Sequence, residues 1–354
     1  MNYLVVQDWP STHGNHAGML HMCNMLKSKY PNDYEVVVLK SPFSPFFRNK
    51  KGFRKIDDYY RIIYEKVYYP YRVVYICRKM LQRLKNDDKV FLLEYLYPET
   101  SQLQLAKYIK RHYSRVRVYG LSHLTPGFAE KKYKNYPSMV LEWGRYVDKI
   151  LTLGSSLSSY FEGCGLSQQK ISTGFHYVDS EYYTKNVCSH SNKRLRVIVI
   201  GAMARNFQLL ADIVAKTPDI DWIICKGRKN VDGIFPIKEN IHLLGFMEED
   251  ELKYQMSLAD VSLSVMDDTI GSNVITTSLS MGLAQVVSDV GSIRDYCNDE
   301  NAIFCKNDVN DFVNALNSLD KNREKLMDMK VSASRHAVNF RIENVHRWFS
   351  SLKD

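Results

Sequence analysis

The stretch Arg196-Val197-Ile198-Val199-Ile200-Gly201-Ala202-Met203-Ala204-Arg205-Asn206-Phe207 decides the architecture. A short apolar run gives way to a turn of small residues, and a helix-period segment follows over 207–216. Strand, small-residue turn, helix is the opening of a βαβ unit, and it predicts a parallel sheet. The same order stands at the N-terminus. Residues 3–6 are an apolar run, and Ser11-Thr12-His13-Gly14-Asn15-His16-Ala17-Gly18 is a small and polar loop. Met19, Met22, Cys23, Met25 and Leu26 then mark the apolar side of a helix before a second strand at 35–39.

Working outward from these two starts, further strands are expected at 90–93, 116–121, 149–153 and 171–175 in the first half. In the second half they fall at 221–225, 241–244, 261–265, 284–288 and 302–304, with helices at 249–257, 272–281, near 293 and on to the end. Polar residues 183–195 read as a linker. The fold class is α/β, with two Rossmann-like, doubly wound domains in tandem. They are expected at 1–185 and 186–335, and 336–354 is a C-terminal helix expected to cross back to the first domain. No repeat of 20–50 residues is visible.

The chain has 354 residues, 45% hydrophobic and 25% charged, the balance of a globular protein and not of a disordered tail. The N-terminus lacks a basic segment followed by a long apolar one, which argues against a secretory leader. The longest uncharged run, 269–288, is too rich in Gly, Ser, Asn and Thr to span a bilayer well. Seven Cys without a CxxC pair fit a reducing compartment, so a cytoplasmic location is expected.

The net charge of +9 is unevenly placed. Residues 1–190 hold 28 basic and 16 acidic side chains, whereas 191–354 hold 20 and 23. The segment 47–85 alone carries 12 basic and 3 acidic groups, with seven tyrosines between 59 and 75. Over 57–84, Tyr60, Ile63, Val67, Val74, Cys77, Leu81 and Leu84 fall at helical spacing, interrupted by Pro70, which should kink or split the helix. Aromatic rings and snorkelling cations suit an amphipathic helix lying on anionic lipid. An ordinary helix with a solvated basic face fits the same residues. No nucleic-acid motif accompanies the charge, so no nucleic-acid partner is expected.

Three loops could carry chemistry. Gly14, Asn15 and His16 lie in the turn after the first strand, where backbone N–H groups can approach an anion. The turn is not GxGxxG, which disfavours a dehydrogenase. His13, His16 and His21 do not complete a ligand set, so no metal is expected. In the second loop, Arg205 at a helix start offers a bidentate cation to a diphosphate. The third is Asp267-Asp268-Thr269-Ile270-Gly271-Ser272-Asn273-Val274, running through Thr276-Thr277-Ser278-Leu279-Ser280-Met281-Gly282-Leu283 to Ser288-Asp289-Val290-Gly291-Ser292.

This third stretch resembles the nucleotide-sugar-binding half of a GT-B glycosyltransferase of the retaining family 4 type. Ser280-Met281-Gly282-Leu283 and Ser288-Asp289-Val290-Gly291-Ser292 match, in register, the family's small-Met-Ala-x-Gly-like turn and Ser-Asp-x-Gly-Gly-like loop. Asn240 to Phe246, Asp148 to Ser156 and Phe175 to Asp179 are similar to other family segments. The resemblance implies two domains facing across a cleft and transfer of a sugar from a nucleotide-sugar donor to a glycan or lipid-linked acceptor, retaining and without a metal or other cofactor. It implies donor contacts by Gly14, Arg205, Lys226, Gly245, Phe246, Gly271, Ser272, Asn273, Val274 and Thr277, with Asn15 and His16 on the acceptor side. Lys226 reads equally well as an exposed loop residue.

The resemblance gives His123 a place facing the transferred sugar; a buried structural histidine is the alternative. One departure stands out: the family's two glutamates, eight residues apart, fall on Thr269 and Thr277. Asp267 or Asp268 could substitute for the first, which makes Asp268 the second catalytic candidate. Surface polysaccharide synthesis at the cytoplasmic face of a membrane is the expected setting. The alternatives are a nucleotide-sugar epimerase of the same fold and an inactive GT-B binding module.

Overall fold

A computed structural model describes residues 1–9, 14–40, 63, 67–184, 193–201 and 204–352. The chain divides into two compact units. The first holds Met1–Leu153, Leu157–Gly174 and Leu352; the second holds Gly154–Ser156 and Phe175–Ser351.

In chain order, β1 (Asn2–Asp8), α1 (Met19–Lys29) and β2 (Tyr34–Lys40) are followed by α2 (Tyr69–Ile76), α3 (Arg78–Leu81) and β3 (Lys89–Leu92). Then come α4 (Gln102–His112), β4 (Arg117–Ser122), α5 (Pro126–Lys132), α6 (Tyr136–Gly144), β5 (Lys149–Thr152), α7 (Ser155–Gly163) and β6 (Ile171–Thr173). The pattern restarts with β7 (Arg196–Ile200), α8 (Phe207–Ala215), β8 (Asp221–Gly227), β9 (Ile241–Gly245), α9 (Glu249–Ser257) and β10 (Val261–Ser264). It ends with α10 (Asn273–Ser280), β11 (Ala284–Ser288), β12 (Ala302–Cys305), α11 (Val309–Lys321), α12 (Arg323–His336) and α13 (Ile342–Ser351).

Each unit is built on a six-stranded sheet, ordered β2-β1-β3-β4-β5-β6 in the first and β12-β11-β10-β7-β8-β9 in the second. Every pairing is parallel. A parallel sheet must be covered on both faces, and the second unit shows how the sequence achieves this. Along β7, Val197 and Val199 point into one core with Trp222, Phe312 and Leu316. Ile198 and Ile200 point into the other, with Ile275, Leu279 and Tyr296. Helix starts are fixed by side chains that accept orphan N–H groups: Asn206 for α8, Asp308 for α11 and Asn322 for α12.

In both sheets the strand order reverses beside the first strand. β1 lies between β2 and β3, and β7 lies between β8 and β10. In open α/β sheets ligands bind outside the carboxyl ends of the strands at such a switch point.

Two sequence expectations change. The strand expected over 171–175 stops at Thr173, because Phe175 packs against Phe340 and Trp348 of the second unit. The 183–195 linker is anchored at its ends: Tyr183 and Leu195 are buried in the second unit's cores, and residues 185–192 lie outside the described set. Pro70 falls where a π-helical turn at 67–68 passes into α2, in agreement with the expected break in the helix. At the chain's end, Leu352 counts with the first unit, and its carbonyl accepts from Lys89 Nζ at 2.9 Å. Among the described residues no helix is long and apolar enough to cross a membrane.

One buried ion pair ties α12 to the β10 start. Lys330 Nζ lies 2.9 Å from Asp260 Oδ1, and the other carboxylate oxygen accepts the Arg196 N–H at 3.2 Å. Removing one partner strands a buried charge, so Lys330→Met should cost about 3 kcal/mol in urea unfolding. Lys330→Met with Asp260→Leu should cost clearly less. Equal losses would mean that the two groups are not coupled.

Candidate functional site

The second unit's switch point gathers the sequence candidates most tightly. The residues after β7 and those after β10 are joined by an antiparallel bridge between Arg205 and Met266. The turn here reaches Ala204 with φ +52, a left-handed conformation that costs a non-glycine residue on the order of 1 kcal/mol. Ala202 and Met203 of the same turn lie outside the described residues. The half-buried Arg205 side chain turns back onto its own strand, donating to the Ile200 carbonyl from Nε and Nη2 at 3.3 and 3.2 Å. Among the described residues no carboxylate pairs with it. Burial lowers its pKa to about 10, so the guanidinium stays charged at neutral pH while lacking a counter-ion.

The loop after β10 is knotted around Thr269. Its N–H donates to Asp268 Oδ1 at 2.8 Å, its carbonyl accepts from Ser292 N at 2.7 Å, and its hydroxyl accepts from Gly271 N at 3.2 Å. Two glycines make the knot possible. Gly291 has φ +53, and a Cβ there would lie 2.0 Å from the Thr269 carbonyl oxygen. Gly271 has φ +109, and its Cβ would meet the Tyr296 hydroxyl at 2.3 Å. The loop delivers the chain to Ser272 and the N-terminus of α10, where the first N–H groups have no intrahelical acceptor. Val274 lies close enough that a Cβ on Gly201 would touch it at 3.8 Å and Arg205 Nη2 at 4.0 Å. Arg205 and Val274 therefore both lie beside Gly201, and Val274 brings the start of α10 to the Arg205 turn.

The acidic candidates differ in availability. Asp267 Oδ1 accepts from Asn206 Nδ2 at 3.1 Å. Asp268 is partly buried, which raises its pKa, although the Thr269 N–H bond acts against this. Thr277 donates its hydroxyl to the Asn273 carbonyl one turn back, at 2.8 Å. Lys226, near the end of β8, donates to the Lys229 carbonyl at 3.0 Å. Gly245 ends β9, and the exposed Phe246 ring carries Arg228 at 4.6 Å.

In the first unit the candidates stand around the switch point between β1 and β3. Gly14 has φ +78, and Asn15 forms the turn into α1: its Oδ1 accepts from Ala17 N at 2.7 Å and its carbonyl from Gly18 N at 3.0 Å. His16 and His21 stack with ring centroids 4.4 Å apart, and His13 lies outside the described residues. Past the end of β4, His123 Nε2 lies 3.0 Å from Glu94 Oε2. Burial alone would lower the His123 pKa, but the Glu94 carboxylate outweighs it and the net shift is upward. Its Nδ1 is buried without a hydrogen-bond partner among the described residues. Glu94 also accepts from Trp9 Nε1 at 3.4 Å.

Glu94 is the functional residue that sequence reasoning missed. Its signal is a lone acid in Val90-Phe91-Leu92-Leu93-Glu94-Tyr95-Leu96, just past a strand end.

Residues 194–322, which contain the Arg205 turn, the Thr269 knot and α10, match the family model described as Glycosyl transferases group 1. The likeness to that family is carried by this stretch of the second unit. No curated protein matches it by sequence. Among solved structures, the glycosyltransferase fold is similar to that of Anabaena HepE in complex with UDP, with TM-score 0.71 and 13% identity over 99% of this chain and 100% of that one. It is also similar to sucrose-phosphate synthase from Thermosynechococcus elongatus, with TM-score 0.70 and 9% identity over 99% and 97%. The lipopolysaccharide outer core galactosyltransferase WaaB in its apo form gives TM-score 0.66 and 14% identity over 99% and 100%. The fold is GT-B.

Two outcomes test the geometry. Because Glu94 raises the His123 pKa, their pairing stabilises the fold fully below pH ~6.5 and fades as pH climbs through the raised value. Glu94→Gln should move the His123 titration in proton NMR to below the ordinary histidine value, since burial then dominates. An unmoved titration would break the assignment. Gly291→Ala should lower stability by roughly 2 kcal/mol or more and abolish ligand binding at the knot, because backbone must shift. A fully stable, binding-competent alanine variant would contradict the knot.

Proposed function

We propose that this glycosyltransferase moves a sugar from a nucleotide-sugar donor to a glycan or lipid-linked acceptor, with retention and without a metal. The observation that carries the reading is Arg205, a half-buried guanidinium with no carboxylate partner among the described residues, beside the N-terminus of α10. A diphosphate is the counter-ion that such a place accepts: two negative groups, bidentate geometry, backbone N–H donors and a helix dipole of the right sign. HepE, with UDP in its structure, supports a nucleotide donor by analogy of fold.

In the reaction the bond from the sugar's C1 to the leaving phosphate oxygen breaks, and a bond from C1 to the acceptor oxygen forms on the same face. The acceptor proton passes to the departing phosphate. Charge grows on that phosphate, and Arg205 with the N–H groups of Asn273 and Val274 stabilises it most when it is largest, which is how a preorganised site lowers a barrier. Fixed cation and dipole supply the neutralisation that a metal would otherwise give. His123, held by Glu94, donates from its imidazolium to a sugar hydroxyl. Asp268 takes the sugar-ring contact of the missing glutamate, since Thr269 is committed to the loop and Thr277 to its own helix. An acceptor that is lipid-linked gives the basic, tyrosine-rich segment a purpose, placing the enzyme on the cytoplasmic face of a membrane in surface polysaccharide synthesis.

The test is a thermal-shift screen against UDP-, GDP-, ADP- and CMP-sugars. At 100 times its Kd a ligand of the native state adds about 2.7 kcal/mol, enough to raise Tm by several degrees. One nucleotide class should do so, and Arg205→Ala should erase the shift. No shift with any class would sink the reading. A shift without transfer to any acceptor would favour the inactive binding module, to which the two threonines in the glutamate positions point.

A further inference from the structure

A second candidate site lies away from both switch points, on the outer side of the helices that cover one face of the first sheet. α2 packs against α4, and along their outer surfaces, with α3, runs a groove of about 1040 Å³. α2 has two apolar faces. Tyr69, Val73 and Cys77, spaced by four, are buried. Val67, Tyr71 and Tyr75, also spaced by four, are 57%, 78% and 72% exposed. A helix that is apolar on both sides belongs in an interior or against a second apolar phase. The stripe that the sequence suggested, from Val67 to Leu81, thus divides: Cys77 and Leu81 belong to the core, and Val67 does not.

The second observation is charge. The groove's walls hold Arg78, Lys107 and Arg111 together with Tyr71, Tyr75 and Tyr108, and among the described residues no acidic side chain lines it. Lys107 is neutralised by Glu142 at 3.4 Å, whereas Arg78 and Arg111 form no ion pair among the described residues. The Tyr108 ring packs at a tilt against His112 with centroids 4.4 Å apart.

We infer that this groove is a headgroup site for anionic lipid at a bilayer surface. The inference rests on the membrane reading above and narrows it to a place, one that includes α4, a helix outside the basic segment 47–85. The chemistry selects the occupant. Two unpaired guanidinium groups meet a phosphate, and phenol rings sit where one end is wet and the other apolar, as they do at a lipid interface. A nucleic acid would need a longer row of phosphate contacts than two free cations supply.

The experiment is co-sedimentation of the full chain with phosphatidylcholine vesicles, with and without phosphatidylglycerol. Arg78→Gln/Arg111→Gln should weaken binding to the anionic vesicles roughly 20- to 30-fold, at about fivefold per cation near the surface. Lys131→Gln/Lys134→Gln removes equal charge from exposed positions outside the groove and should weaken it far less. Tyr71→Ser/Tyr75→Ser should also reduce binding, and all three variants should keep the nucleotide-sugar thermal shift. Equal weakening by the two charge pairs would overturn the groove and leave a diffuse basic surface. So would competition by soluble glycerol phosphate, which would make the occupant a small anion. If the parent itself ignores anionic vesicles, the membrane reading falls, and the groove as a lipid site falls with it.

Discussion

A half-buried guanidinium with no carboxylate partner among the described residues is the constraint around which the second unit is organised. Burial pulls the Arg205 pKa down to about 10, and among the described residues the Ile200 carbonyl answers it. A fold keeps such a group where a ligand supplies the missing charge. The surroundings agree: the turn reaching it is strained at Ala204, its backbone is bridged to Met266, and α10 begins beside it. All of this lies where the strand order reverses, which is a property of topology before it is a property of any side chain.

The Thr269 knot shows what a threonine does at the position where the resemblance places a glutamate. A threonine at that position uses N–H, carbonyl and hydroxyl within the loop and so fixes the path into α10. Asp268, one residue earlier, keeps a partly buried carboxylate with a raised pKa. In the first unit, Glu94 supports His123 from beneath, and Trp9 supports Glu94.

Much of the fold was legible because its signal is periodic and local. β11 falls on the expected 284–288 and α9 on 249–257, since short apolar runs and a polar helix with acidic residues in its first turn leave little choice. The ends of elements were less legible. Whether Phe175 continues β6 or turns to Phe340 depends on partners far away in sequence, and so does the burial of Tyr183. Glycines at 271 and 291 could be read as loop residues, but the tyrosine and carbonyl that exclude a Cβ could not. Glu94 was hidden inside an apolar run, because a strand read for hydrophobicity discards its single acid. The two faces of α2 were hidden for another reason: helical spacing shows that apolar residues share a stripe, but only packing shows which stripe is covered.

The central claim is that Arg205 is the diphosphate's counter-ion. Calorimetry of the nucleoside diphosphate against its parent nucleoside, on the parent protein and on Arg205→Met, tests it most directly. The account expects the parent protein to prefer the diphosphate strongly and the variant to lose most of that preference, while affinity for the nucleoside stays unchanged. An intact preference in a folded Arg205→Met variant would contradict it.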